Sequence, residues 1–433
     1  MIPGLRLLPQ RVPGGSQEDH DANRSVLLRW VMAITIHGAG CALMDYLYRG
    51  VDFHDEAVTR LRRRTPGDGG LTIGGLVFAE ALESFAGLPV DEALRSVTGG
   101  RDPDRMNVGG PAIVSLIHTA QLRPDDAVRF FGAVGDDGAG DTLRSIVSRT
   151  PLDTTRLSVR HGATAATYVL SDPDYDDGHG ERMFINRLGV AADLTAEDLG
   201  DDFHRADIVQ LGGTALVPRL HEAIPPVLAR ARAAGALTIV NTVYDFRAES
   251  TNPGRRWTLG GDEAYPLVDL LITDAEEALR LSGCGTPRAA VEWFLRMGAS
   301  AAVVTNGPGA VWCAASGGRF AARGVFSRPA FTEFAKSERV RGAGGDTTGC
   351  GDTFAGGLVA SIATQLDARL DTPAATGGAA LVDLDAAVRL AVASGAFCLT
   401  HLGGTFLEER PGEKAKLVAK VQEAYEGTEG GHT

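Results

Sequence analysis

The sequence predicts an α/β fold built on a doubly wound, mostly parallel sheet flanked by helices. Two observations carry that prediction. From Ala206 onward, short apolar runs alternate with helical patterns: strands over Asp207 to Leu211, Leu237 to Asn241, Val268 to Thr273 and Ala301 to Thr305, and helices over Pro218 to Ala234, Ala275 to Leu281 and Arg288 to Met297. Further on, the glycine-rich turn Gly349-Cys350-Gly351 runs straight into an apolar stretch of helical spacing with Asp352 at its start. In sheets of this kind ligands collect at the carboxyl ends of the strands.

Composition narrows the function. The 433 residues carry 42 Lys and Arg against 55 Asp and Glu, a net charge of -13, which disfavours nucleic acid and anionic membrane as partners. The cysteines, Cys41, Cys284, Cys313, Cys350 and Cys398, are widely spaced and include no Cys-x-x-Cys pair, so neither a disulfide framework nor a zinc site is expected and a cytoplasmic location is. The apolar stretch Val26 to Ile36 contains Arg29 and is too short to span a bilayer.

The stretch Asp346-Thr347-Thr348-Gly349-Cys350-Gly351-Asp352-Thr353-Phe354 carries the most specific chemistry. A helix start offers backbone N–H groups without intrahelical acceptors, which attract phosphate oxygens. A carboxylate beside them can take a proton from an incoming hydroxyl. The order of residues resembles the second signature of the ribokinase-like (PfkB) family of carbohydrate and nucleoside kinases. The resemblance implies ATP and Mg2+ as cofactors, Asp352 as catalytic base, and an anion hole at Gly349, Cys350 and Gly351. Cys350 stands where the family has Ala; it serves as a small equivalent, or as an oxidation-sensitive thiol activated by the helix start.

Taken in order, residues 1–31 are expected to be a flexible extension, with Met32 an alternative start just before the first convincing strand, Ala33 to His37. Gly38-Ala39-Gly40 reads as a turn; as a dinucleotide fingerprint it lacks the third glycine. The family resemblance instead assigns Asp45, five residues after Gly40, to substrate hydroxyls. It also places a β-stranded lid at about residues 42–108 and 163–187. An insertion of about residues 50–105 holds two short predicted helices, Phe78 to Phe85 and Val90 to Val97.

Asn107-Val108-Gly109-Gly110 resembles the family element whose glycines approach the substrate, with Val114 where the family has a substrate-binding Asn. Asn107 or Ser115 is the expected replacement. Arg129 to Val134 reads as a strand, and the acids of Gly135-Asp136-Asp137-Gly138 as caps of the following helix. Ala163 to Leu170 and Gly180 to Ile185 give the rest of the lid, whose apolar face needs cover, so a homodimer through the lids is expected.

Asp274-Ala275-Glu276-Glu277 resembles the motif that supports Mg2+ and nucleotide phosphates, with Glu277 acting through water and Asp274 in place of Asn. Thr305 and Gly307 resemble a nucleotide turn. Ala386 to Thr400 is expected to be a helix beside the adenine. Asp346 and Gly403 resemble parts of a monovalent-cation loop, which implies K+. The kinase domain is expected over residues 32–425, followed by an irregular tail at 426–433.

The function expected is phosphorylation of a hydroxyl of a small metabolite, most readily a sugar. The competing readings are a nucleoside kinase on the same fold, a catalytically silent sugar-binding regulator, and a nicotinamide dehydrogenase resting on Gly38 and Gly40.

Overall fold

The computed structural model describes residues 5–8, 29–65, 67–178, 181–343, 347–370 and 381–429. Strands β1 (Leu5–Leu8) and β2 (Arg29–Met32) pair with each other as an antiparallel ribbon, so the expected extension contains a piece of regular structure. The other strands are β3 (Thr35–Gly40), β4 (Leu43–Arg49), β5 (Leu76–Phe78), β6 (Arg105–Gly109), β7 (Ala127–Gly135), β8 (Asp153–Arg160), β9 (Ala165–Asp172), β10 (Glu181–Arg187), β11 (Ile208–Gly212), β12 (Leu237–Asn241), β13 (Leu270–Asp274), β14 (Ala301–Thr305), β15 (Val311–Ala315) and β16 (Arg323–Arg328).

The body sheet has the order β16-β15-β14-β13-β12-β11-β3-β7-β8. It is parallel from β14 to β8, and β15 and β16 extend one edge antiparallel. Both faces are covered, which is why β11 and β12 are buried at every residue. One face packs on helices Pro111–Leu122, Cys350–Leu370 and Leu384–Cys398; the other packs on Ile224–Ala233, Ala275–Ser282 and Pro287–Arg296.

Gly38 and Gly40 lie inside β3 rather than in a turn after it. A Cβ on Gly38 would meet Leu116 Cδ1 at 2.5 Å, and one on Gly40 would meet the Gly212 carbonyl oxygen at 2.1 Å. These glycines let a helix and a neighbouring strand approach the centre of the sheet, which removes the fingerprint reading. The single helix expected from Pro218 to Ala234 is two, Pro218–Glu222 and Ile224–Ala233, because Pro225 and Pro226 lack the N–H groups needed to continue the first. The final helix, Glu413–Glu429, runs into the expected tail, of which 430–433 lie outside the described residues.

The lid is a second sheet, β5-β10-β9-β4-β6. Its strands alternate. Tyr46, Tyr48, Tyr168, Leu170, Met183 and Ile185 face an apolar cluster formed with the insertion, whose helices are Glu56–Leu61, Ala79–Ala86 and Val90–Thr98. Tyr46 and Tyr168 stack across neighbouring strands with ring centroids 5.2 Å apart. Asp45, Leu47, Arg105, Asn107 and Val169 fall on the opposite face, toward the body. The insertion therefore covers much of that face, while Met106, opposite Tyr46, is 47% exposed.

Candidate active site

Close backbone contacts bring the lid and the catalytic turn together. Gly110, at φ +109°, starts the Pro111–Leu122 helix so near the end of β3 that a Cβ would meet the Cys41 carbonyl oxygen at 2.2 Å. Gly109 lies under the Asp45 carboxylate, where a Cβ would be 2.2 Å from Oδ2. Gly349, at φ +80°, packs on the Gly403-Gly404 turn, and a Cβ there would meet Gly404 Cα at 2.2 Å. Val114 is buried, and its Cγ1 lies 2.8 Å from where a Gly404 Cβ would stand. Val114 thus packs under this turn.

The result is a narrow cleft with Asp45, Arg105 and Asn107 on the lid side and Thr348, Leu402 and Gly403 on the body side. Asp45 sits in β4, opposite Asn107 in β6. Asn107 donates from Nδ2 to the carbonyls of Leu402 (3.0 Å) and Thr405 (3.3 Å), while its Oδ1 accepts from Val108 N–H (2.9 Å). Through its amide Asn107 ties lid to body while lining the cleft. Ser115 is wholly buried and hydrogen-bonded to Gln210.

The helix that carries Asp352 begins at Cys350, as the glycine spacing requires. Thr353 N–H already bonds to the Gly349 carbonyl at 2.9 Å, and Cys350 N–H closes a turn on the Thr347 carbonyl at 3.3 Å. Gly351 and Asp352 are the next positions of the first turn, where amides have no carbonyl in helical register. Asp352 keeps some exposed surface, but loss of water around its carboxyl, with the Cys398 thiol nearby, pushes its pKa up to about 7. A carboxylate so placed is a stronger proton acceptor than one in water.

Cys398, unremarked in the sequence reading beyond its place in a helix, lies against this turn. Its Sγ is 3.4 Å from the Thr348 carbonyl oxygen and 3.8 Å from that of Gly403. Its contact with the Cys350 side chain lowers the Cys398 thiol to about 5. Asp346 lies outside the described residues, and Gly403 takes φ +75°.

Two strands away, β13 and β14 set Asp274 directly opposite Thr305. Asp274 caps the Ala275–Ser282 helix, accepting from Glu277 N–H at 2.8 Å, and Glu277 Oε2 accepts in return from Asp274 N–H at 3.4 Å. The hydroxyls of Thr242 and Thr273 also donate to that Glu277 oxygen. Desolvation, then the neighbouring Asp274 charge, pushes Glu277 up to about 7; Asp274 is raised too, by desolvation. A buried carboxylate, Glu277, beside the surface-reaching Asp274, with no guanidinium or ammonium pairing them among the described residues, suits a hard cation. No cluster of three or more His, Cys, Asp or Glu capable of holding a metal occurs among the described residues. The donor set therefore fits Mg2+ held partly through water and phosphate. Gly307, at φ +50°, stands at an open turn beyond Thr305.

Fold and site together define an ATP-dependent kinase of the sugar and nucleoside class. The family model for pfkB carbohydrate kinases matches residues 103–410, and the chain belongs to that family. A fructokinase from Vibrio alginolyticus is 27% identical over 265 residues, 60% of this chain and 77% of the relative. Adenosine kinase from Sinorhizobium meliloti superposes with a TM-score of 0.63 at 19% identity, covering 89% of this chain and 99% of that one. An E. coli protein described as a ribokinase II, solved with ATP and Mg2+, gives a TM-score of 0.57 at 16% identity, covering 91% and 99%.

Proposed function

We propose that the chain transfers the γ-phosphoryl group of ATP to a hydroxyl of a sugar-like polyol bound between Asp45 and Asp352. The observation that carries this reading is the meeting of the Asp45 cleft with the turn that starts the Asp352 helix, through Thr348 and Gly403. Asp45 accepts from substrate hydroxyls. Asp352 takes the proton of the attacking hydroxyl, and amides at the helix start stabilise the transferring oxygens. Mg2+ brought with ATP would neutralise phosphate charge, with Asp274 and Glu277 as its supports and Thr305 and Gly307 beside the nucleotide. The Gly403 turn and Asp346 would hold K+.

A polyol is favoured over a nucleobase because the lid turns Tyr48 and Tyr168 into the cluster it forms with the insertion, leaving the cleft lined by Asp45, Arg105 and Asn107. The lid serves the active site of its own chain, and a homodimer through the lids is the assembly proposed. The cysteines of the described residues are thiols, in keeping with the cytoplasmic location proposed for an ATP-using enzyme.

The test is Asp352→Asn assayed for ATP consumption against sugars and nucleosides. Loss of about 10² to 10⁴ in kcat with unchanged folding is expected. Near wild-type turnover would overturn the role, and nucleosides outperforming every sugar would transfer the reading to nucleoside phosphorylation.

A further inference from the structure

The cleft face of the lid presents two guanidiniums that have no carboxylate partner among the described residues. Arg105 in β6 stands opposite Leu47 and lines the cleft beside Asp45 and Thr348. Among the described residues it has neither a hydrogen-bond acceptor nor an ion-pair partner. Arg182 in β10 donates from Nη1 to Thr348 Oγ1 at 3.3 Å and from Nη2 to Thr347 Oγ1 at 3.0 Å, both neutral acceptors. Arg101 and Arg187, elsewhere in the lid, are by contrast paired with Asp104 and Asp91. Thr348 thus touches one guanidinium and shares the cleft with the other. Asp45 is the only acid lining that cleft among the described residues; Arg105 balances its charge, and Arg182 stands beside the cleft on Thr348.

We infer that the acceptor is an anionic polyol, its carboxylate or phosphate held by Arg105 and Arg182 while Asp45 takes a hydroxyl. The inference rests on the kinase reading of the site. A guanidinium matches either oxyanion with paired N–H donors. Arg182 must exchange its threonine hydroxyls for the ligand oxygens, which couples acceptor binding to the loop that leads into the anion hole.

Wild type, R105A and R105K would be assayed for ATP consumption with four acceptor sets: aldonic and 2-keto-aldonic acids, hexose monophosphates, neutral hexoses and pentoses, and nucleosides. Calorimetric binding of the same compounds would run alongside. The expected result is a best acceptor from one of the two anionic sets. R105A should raise its KM about ten- to a hundred-fold, with partial recovery in R105K and unchanged KM for ATP. Carboxylate and phosphate sources are told apart by which anionic set is turned over. A neutral best acceptor, an R105A defect equal across all sets, or a defect confined to the KM for ATP would overturn the inference. Binding of an anionic sugar that depends on Arg105 without any turnover would retain the anion subsite and sink the kinase reading instead. Absence of anionic-sugar binding would remove the subsite.

Discussion

Lys414 Nζ donates to Gln121 Oε1 at 2.9 Å in the closed interior behind the catalytic helix, and among the described residues no carboxylate lies within ion-pair reach of it. Burial lowers its pKa to about 7. Between there and the ordinary lysine value, the unfolded chain holds a proton that the folded chain has released, so this residue adds stability as pH rises. Lys414→Met should abolish that slope. Urea denaturation from pH 6 to 10 should show wild type gaining on the variant as pH increases, and a gap independent of pH would refute the assignment.

Asp352 works in the opposite direction. Its folded pKa of about 7 lies above the unfolded value, so its stabilising contribution is complete in acid and is lost as pH climbs from about 4 through 7. Asp352→Asn should be more stable than wild type at pH 8 and no more stable than it at pH 3.5, while being nearly inactive. The wild-type rate should rise as pH passes through 7, where the base ionises. A variant less stable than wild type at pH 8 would mean that the carboxylate is well satisfied in the fold.

The coupled pair Asp274 and Glu277 predicts a metal phenotype. Glu277→Gln removes the buried one of two neighbouring charges, so Asp274 should ionise more readily. Half-maximal turnover should then require about ten- to a hundred-fold more Mg2+, as when a supporting carboxylate around a metal is lost. An unchanged Mg2+ titration would assign Glu277 to helix capping alone.

At the far end of the cysteine-bearing helix, Asp385 is held by Arg328 (2.5 Å), Arg323 (3.0 Å) and Arg389 (3.0 Å). Although burial opposes ionisation, these guanidiniums hold its pKa well below the usual carboxylate range. The stability it gives is present above about pH 4 and is lost in stronger acid. Asp385→Asn should cost about 1 to 2 kcal/mol at neutral pH, allowing for solvent screening of the exposed guanidiniums. The difference should fade below pH 4; persistence of the full loss there would point to packing instead.

Local chemistry was legible in the sequence. Turn glycines and caps act within a few residues, so the start of the Cys350 helix, the Asp274 cap and the Asp137 cap, which accepts from Gly140 N–H at 2.9 Å, could all be read from spacing. What escaped depends on distant partners. Asn107 finds its acceptors 295 and 298 residues away, and Gly40 is required by the approach of Gly212. Arg105 could have been found from the two-residue period of β6, which puts it on the same face as Asn107. Cys398 carried no comparable signal, since a buried helical cysteine is most often core. The helix Glu56–Leu61 was missed because its apolar residues Val58 and Leu61 show too short a pattern to stand out from a loop.

The inserted helices leave the lid with an apolar core of its own, built from Phe53, Val58, Leu82 and Leu94 against Leu170 and Met183. The lid then moves over the cleft as one body with its own core, so closing it draws on contacts within a single chain. Each site should fill independently, giving a hyperbolic dependence of rate on acceptor concentration.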